Sequence, residues 1–277
     1  MTLHRPDSLE DALSLLSGGG VVLAGGTDVY PALRDGPPPP RLIDITAIAG
    51  LRGIARDAHG WRIGAATTWT DILHTDLPPL FDGLKGAARE VGSIQIQNAG
   101  TVAGNICNAS PAADGVPALL TLDATVELAG ADGQRQMPLA AFLKGPRQTA
   151  LRPGELVTAL CIPEGTGQGA FTKLGARRYL VISIAMVAAV VDLHNGRIGR
   201  AALAVGACSP VARRLPALEA ALVGTTPDEI APVVAAADLP DLSPITDVRA
   251  PAEYRMDAVS TLIARTLFQA TEPAHVA

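Results

Sequence analysis

The segment NAGTVAGNICNASPAADG, residues Asn98 to Gly115, restricts the fold of this chain more than any other. Three glycines and five alanines stand among its eighteen residues. Side chains this small fill little core, so the segment serves to bring backbone close to something else. Gly100 and Gly104 bracket Thr101, and Asn105 and Asp114 are the polar groups able to give direction. Thr101 and Asn105 can donate to diphosphate or sugar oxygens, and Asp114 can accept from a sugar hydroxyl. The competing reading makes Asn105 and Asp114 ordinary turn caps.

A second stretch has the same character. VLAGGTDV, residues 22–29, reads as a short strand, a sharp glycine turn and a Thr-Asp pair entering YPALR. Glycines leave amides unshielded and allow φ > 0, so successive N–H groups can converge on an anion. The pattern is neither GxGxxG nor GxxxxGK[ST], which removes the Rossmann and Walker readings. A plain strand-to-helix turn is the alternative here. Two such loops in one half-chain, with no catalytic cluster, point to a large phosphorylated cofactor lying between them. The pattern alone does not separate FAD from other dinucleotides.

Bulk properties narrow the remaining classes. With 277 residues, 48% apolar and 18% charged, the chain has ample material for a buried core and a length that suggests two domains. Net charge is −5 and the basic residues are scattered singly, so no nucleic-acid-binding stripe exists. The longest apolar run, Leu180 to Val191, falls short of the ~20 residues of a membrane span and reads as buried strand or core helix. The N-terminus lacks a signal-peptide pattern, and a cytoplasmic protein is expected. Cys107, Cys161 and Cys208 form no metal or disulfide motif, and the five histidines, His275 among them, are equally dispersed. Redox chemistry would therefore use an organic cofactor.

Along the chain, Asp7 to Leu16 predicts a helix, RLIDIT a strand, and WRIGAATTW a strand entering a helix at Thr70 or Asp71. Leu80 to Val91 predicts a helix, and TVELAG with GQRQMPLAAF a hairpin. From about residue 169 the texture changes. FTKLGARRYLVISIAMVAAVVDLHNGRIGRAALAVGACS reads as strands joined by a turn at His194-Asn195-Gly196. SPVARRLPALEAALVG and VRAPAEYRMDAVSTLIARTLFQA read as helices.

At these residues the chain resembles a known family, the FAD-binding medium subunits of the molybdenum hydroxylases (the xanthine dehydrogenase and carbon monoxide dehydrogenase group). LAGGTDV resembles the family's first flavin loop, and QIQNAGTVAGNICNASPAADGVPALLTLDATVEL its second loop and following strand. FTKLGARR and VRAPAEYR resemble markers of its C-terminal domain. One departure is Ala103, where many members carry glycine.

The resemblance implies an α+β chain. Residues 1–168 would form a vanillyl-alcohol-oxidase/PCMH-type FAD-binding domain of two α/β subdomains. Residues 169–277 would form a small C-terminal domain of antiparallel sheet followed by helices. It places Leu23, Ala24, Gly25, Gly26, Thr27 and Asp28 around the FAD diphosphate and neighbouring groups. Gly100, Thr101, Val102, Ala103, Gly104 and Asn105 join them from the second loop. Asp114 and Lys173 match positions that contact the flavin or its ribityl chain. Ile96 and Val157 would pack near the isoalloxazine, and Thr67, with Thr68, would face the cofactor from a third loop. Tyr179 and Tyr254 are expected in core or interface, and Cys107 as a small buried residue. The implied partners are a large subunit carrying the molybdenum cofactor and a small subunit carrying [2Fe–2S] clusters, in a dimer of heterotrimers. The flavin would pass electrons from the clusters to NAD⁺, oxygen or a quinone. A stand-alone flavin-dependent reductase or oxidase of the same fold, and a non-enzymatic nucleotide-binding scaffold, are the alternatives.

Overall fold

Three sheets of three, five and four strands, with a separate two-stranded pair, organise the described residues; the computed structural model describes residues 1–33 and 36–272. The first lobe is a small α/β unit: β1 (Thr2–His4), α1 (Leu9–Ser17), β2 (Val21–Leu23), α2 (Val29–Ala32) and β3 (Arg41–Asp44). Its strands are parallel in the order β1-β3-β2. Ser8 caps α1 by accepting from the Asp11 amide, as Ser before an amphipathic run should.

The second lobe is β4 (Ile54–Asp57), β5 (Gly60–Gly64), α3 (Trp69–His74), α4 (Asp82–Glu90), α5 (Ile94–Ala99), α6 (Val102–Asn108), α7 (Gly115–Thr121), β6 (Thr125–Gly130), β7 (Gly133–Pro138), α8 (Leu139–Phe142), β8 (Leu143–Gly145), β9 (Gln148–Thr149) and β10 (Leu156–Pro163). Its antiparallel sheet runs β4-β5-β10-β6-β7, and β8 pairs with β9 separately. The register of β10 against β6 shifts between Val157 and Ala159. Such bulges re-aim side chains and often sit beside functional sites.

The last part is β11 (Gln168–Leu174), β12 (Ala185–His194), β13 (Arg197–Gly206), β14 (Arg213–Arg214), α9 (Pro216–Leu222), α10 (Ile230–Ala236) and α11 (Ala252–Gln269), with the sheet in chain order. The apolar run Leu180 to Val191 becomes intelligible here. Along β12, Ala188 and Val190 join the central core, while Val187, Ala189 and Val191 join the core under α9–α11. A strand buried on both faces has no polar alternation to show.

The glycine-rich segment 98–115, expected to be a loop, is largely helical. Ser93 caps α5 through the Ile96 amide and Thr101 caps α6 through the Gly104 amide. Only Gly100–Thr101 and Ala109–Asp114 stay outside helix. The helix expected over residues 209–224 is shorter than its pattern, because Arg213–Arg214 pairs with β13 and Pro216 opens α9.

Candidate cofactor cleft

The turn after β2 and the junction of α5 with α6 meet backbone to backbone. A Cβ on Gly25 would lie 1.9 Å from the Ala99 carbonyl oxygen and 2.8 Å from the Gly100 Cα. No side chain fits there. Gly26 has φ +70°, a conformation that glycine adopts freely, and its own Cβ would strike the Tyr30 ring at 2.5 Å. The second segment is fixed from behind. Val102 N donates to Thr67 O at 3.0 Å and Trp69 N to Gly100 O at 3.2 Å, which locks the N-termini of α3 and α6 side by side.

Between the two segments runs a cleft of about 410 Å³. The turn Ala24–Asp28 forms one wall; Gly100, Thr101 and Ala103–Asn105 form the other; Val91, Ile96, Leu151, Leu156 and Val157 make one end apolar. The amides of Gly25, Gly26, Thr27 and Asp28 donate to no protein acceptor among the described residues. Asn105 Oδ1 is buried without a hydrogen-bond partner. Unbonded amides on a glycine turn fit an anionic ligand group; the Asn105 oxygen is shielded from the open cleft as well as from protein donors.

The cleft wall carries two carboxylates, Asp28 and Glu155, and no lysine or arginine among the described residues. Asp28 accepts from Asn108 Nδ2 at 2.9 Å. Glu155 is gripped by both arms of Arg135 at 2.7 Å and by the Arg152 amide at 2.8 Å. The Arg135 hydrogen bonds outweigh burial and hold its pKa down at about 2. A carboxyl depressed in the folded state stabilises the fold above its unfolded pKa of about 4.3, and that stabilisation is lost as pH falls towards 2. In urea unfolding, the stability gap between wild type and Glu155→Gln is expected to shrink steadily over that window. A gap that does not change with pH would contradict the ion pair.

The fold described here is matched by two families. "FAD binding domain in molybdopterin dehydrogenase" covers residues 1–165, and "CO dehydrogenase flavoprotein C-terminal domain" covers residues 170–270. The chain belongs to the FAD-binding medium subunits of the molybdopterin dehydrogenases. The glyceraldehyde dehydrogenase medium chain of Sulfolobus acidocaldarius is 32% identical over 266 residues, covering 93% of this chain and 94% of that one. The carbon monoxide dehydrogenase medium chain of Afipia carboxidovorans is 34% identical over 279 residues, covering 96% and 95%. The xanthine dehydrogenase FAD-binding subunit of Escherichia coli O157:H7 is 31% identical, covering 98% and 96%. Among solved structures, the reconstituted CO dehydrogenase from Oligotropha carboxidovorans superposes with a TM-score of 0.89 at 29% identity, covering 98% of this chain and 97% of that one. The medium subunit is thus an FAD-dependent oxidoreductase subunit, and its α+β fold is that of its relatives.

Of the residues expected at the site of this medium subunit, Ala24, Gly25, Gly26, Thr27 and Asp28 line the cleft, as do Ile96, Gly100, Thr101, Ala103, Gly104, Asn105 and Val157. Leu23 and Val102 do not; they alternate away from the cleft into the core. Thr67 is fully buried, its hydroxyl tied to the Gly53 backbone, and Thr68 caps α3. Asp114 and Lys173 are also off the cleft wall. They bond each other at 2.7 Å with side chains 10% and 6% exposed, Ser183 donates to Asp114, and Lys173 also donates to Glu90 O. Burial raises the Asp114 carboxyl above its ordinary range, against the pull of Lys173 and Ser183.

Tyr179 and Tyr254 are exposed rather than in the core. Cys107 is half-buried on the cleft wall, and burial pushes its thiol up to about 12, far from a nucleophile. Among the described residues no cluster could hold a metal ion and no helix is long and apolar enough to cross a membrane; His275 lies outside the described residues. Sequence reasoning missed Glu155, Asn108 and Trp69. Asn108 stood inside the quoted segment, but nothing in its spacing set it apart from a turn residue.

Proposed function

We propose that the medium subunit carries one FAD in this cleft and relays electrons through it. The reading is carried by the run of unbonded amides from Gly25 to Asp28, which line the cleft together with Gly100, Thr101 and Gly104. Converging backbone N–H groups on a glycine turn bind an anion without a side-chain cation. Gly25, Gly26, Thr27 and Asp28 would hold the diphosphate from one side. Gly100, Thr101, Ala103, Gly104 and Asn105 would hold it and the adjoining hydroxyls from the other, with Ala24, Ile96 and Val157 against the apolar parts. Leu23, Thr67 and Val102 support these segments from behind, and the Asp114–Lys173 pair anchors the floor beneath α7. FAD, once bound, supplies the exchange between single-electron donors and two-electron acceptors. The chain's own residues bind it, orient it and exclude water.

The same reading divides the chain near residue 168 into an FAD-binding domain (1–168) and a C-terminal domain (169–277), supported by family matches that end at 165 and begin at 170. Relatives named as medium chains support a large molybdenum-cofactor subunit and a small [2Fe–2S] subunit as partners, in a dimer of heterotrimers. Electrons would come from the small subunit's clusters and leave to NAD⁺, oxygen or a quinone. A cytoplasmic location belongs to this proposal as well.

Native mass spectrometry with visible spectroscopy of the complex purified through this chain tests it. The expected result is one FAD on this chain, with iron and molybdenum on two other chains. A chain that purifies alone and oxidises a small molecule unaided would replace the relay with the stand-alone flavoenzyme.

A further inference from the structure

One hydrogen-bonded chain joins the two lobes beside the cleft. Asp28 stands at the N-cap position of α2, yet its carboxylate bonds none of that helix's amides. It accepts instead from Asn108 Nδ2 on the opposite lobe, at 2.9 Å. Behind Asn108 stands Arg147, between β8 and β9, whose guanidinium donates to Asn108 Oδ1 and to the Asn108 carbonyl. The Arg147 amide in turn donates to Ala109 O at 2.8 Å.

The chemistry of this chain permits one arrangement only. A guanidinium has donors and no acceptor, so the Asn108 atom facing Arg147 is the oxygen. An ionised carboxylate has acceptors and no donor, so the atom facing Asp28 is the nitrogen. The Asn108 amide is therefore oriented from both ends. Its supports are strained: Ala109 and Arg147 have φ of +47° and +59° without being glycine. Such residues cost of order 1–3 kcal/mol each and persist where surrounding contacts hold them. Charge gives the arrangement a purpose. The cleft walls hold two carboxylates and no cation among the described residues, yet an FAD diphosphate adds further negative charge. Arg147 sets a positive charge one amide behind the wall.

We propose that Arg147 is a positioning residue for cofactor retention: through Asn108 it clasps Asp28 across the cleft, closing the two lobes on the FAD diphosphate. The inference rests on the FAD reading above. Because Arg147 is exposed, its electrostatic part weakens with salt.

The test measures FAD release from the reconstituted full-length chain by the return of flavin fluorescence. Arg147→Gly removes the guanidinium and relieves the positive φ, so the fold is retained, which the unfolding midpoint of the apo-chain verifies. Release is expected to rise about 10-fold, the size of one charge-assisted bond, and to lose much of its salt dependence. Riboflavin, which lacks the diphosphate, should bind wild type and variant alike. Asn108→Asp sets two carboxylates against each other and should release FAD as fast. Combining it with Asp28→Asn exchanges donor and acceptor and should restore slow release to within about threefold. A folded Arg147→Gly chain that releases FAD at the wild-type rate, or a double variant no better than Asn108→Asp alone, overturns the clasp. A wild-type chain that holds no FAD overturns the cofactor reading and the clasp together.

Discussion

A Gly25→Ala chain is expected to purify with little or no flavin. The added methyl would lie 1.9 Å from the Ala99 carbonyl oxygen, and its next neighbours are also main chain, the Ala99 carbonyl carbon at 2.5 Å and the Gly100 Cα at 2.8 Å. No side chain can rotate aside to make room. Either the turn after β2 or the α5–α6 junction must retreat, and each carries part of one wall of the cleft. A separation of about 1 Å removes the short hydrogen bonds on which anion binding depends. An affinity loss of at least about 100-fold, roughly 2.7 kcal/mol, is the expected result. Gly26→Ala makes the instructive comparison. Its obstacle is the exposed Tyr30 ring at 2.5 Å, which can swing away, and the remaining cost is the positive φ. FAD titration should rank Gly25→Ala well below Gly26→Ala. Equal affinities would mean that the contact between the two segments is incidental to binding.

The second large effect is expected on stability. Removing one partner of a buried ion pair leaves an uncompensated charge and costs about 3–5 kcal/mol. Lys173→Met should lower the unfolding midpoint by about 5–9 °C for a chain of this size. The sign of its pH dependence follows from Asp114. A carboxyl whose folded pKa is raised binds its proton more tightly when folded. The associated stability is therefore present below the unfolded pKa and lost as pH rises through the folded value. Burial already raises Asp114 in the wild type, and without Lys173 the rise is larger. The deficit of Lys173→Met should then be smaller near pH 5 than near pH 8, because the stranded carboxyl can take up a proton. Pairing the change with Asp114→Leu should recover part of the loss. A deficit that does not vary with pH would show that Lys173 matters for packing rather than charge.

Some of this was readable from residues alone. The turn at Gly25–Gly26 was legible because only glycine tolerates both the positive φ and the approach of Ala99. The helices α1 and α11 were legible from their apolar spacing, and α1 also from its Ser8 cap. Segment 98–115 was misread as a loop because its glycines, asparagines and Pro111 have weak helical preference; tertiary bonds to Thr67 and Trp69 override that preference. Glu155 was hidden because its grip comes from Arg135, twenty residues earlier on β7. Asp114 and Lys173 lie 59 residues apart, and only the family resemblance joined them. It did so for contact with a cofactor, whereas their first commitment is to each other. The clasp through Asn108 was beyond sequence reasoning, since it depends on which lobe faces which.

Amide hydrogen exchange, resolved to single residues with and without FAD, tests the central claim most directly. The amides of Gly25, Gly26, Thr27 and Asp28 have no protein acceptor among the described residues and should exchange quickly in the apo-chain. FAD should slow all four by at least about tenfold, and the amides near Thr101 with them. Tight FAD binding that leaves those four amides exchanging at their apo rates would contradict the account.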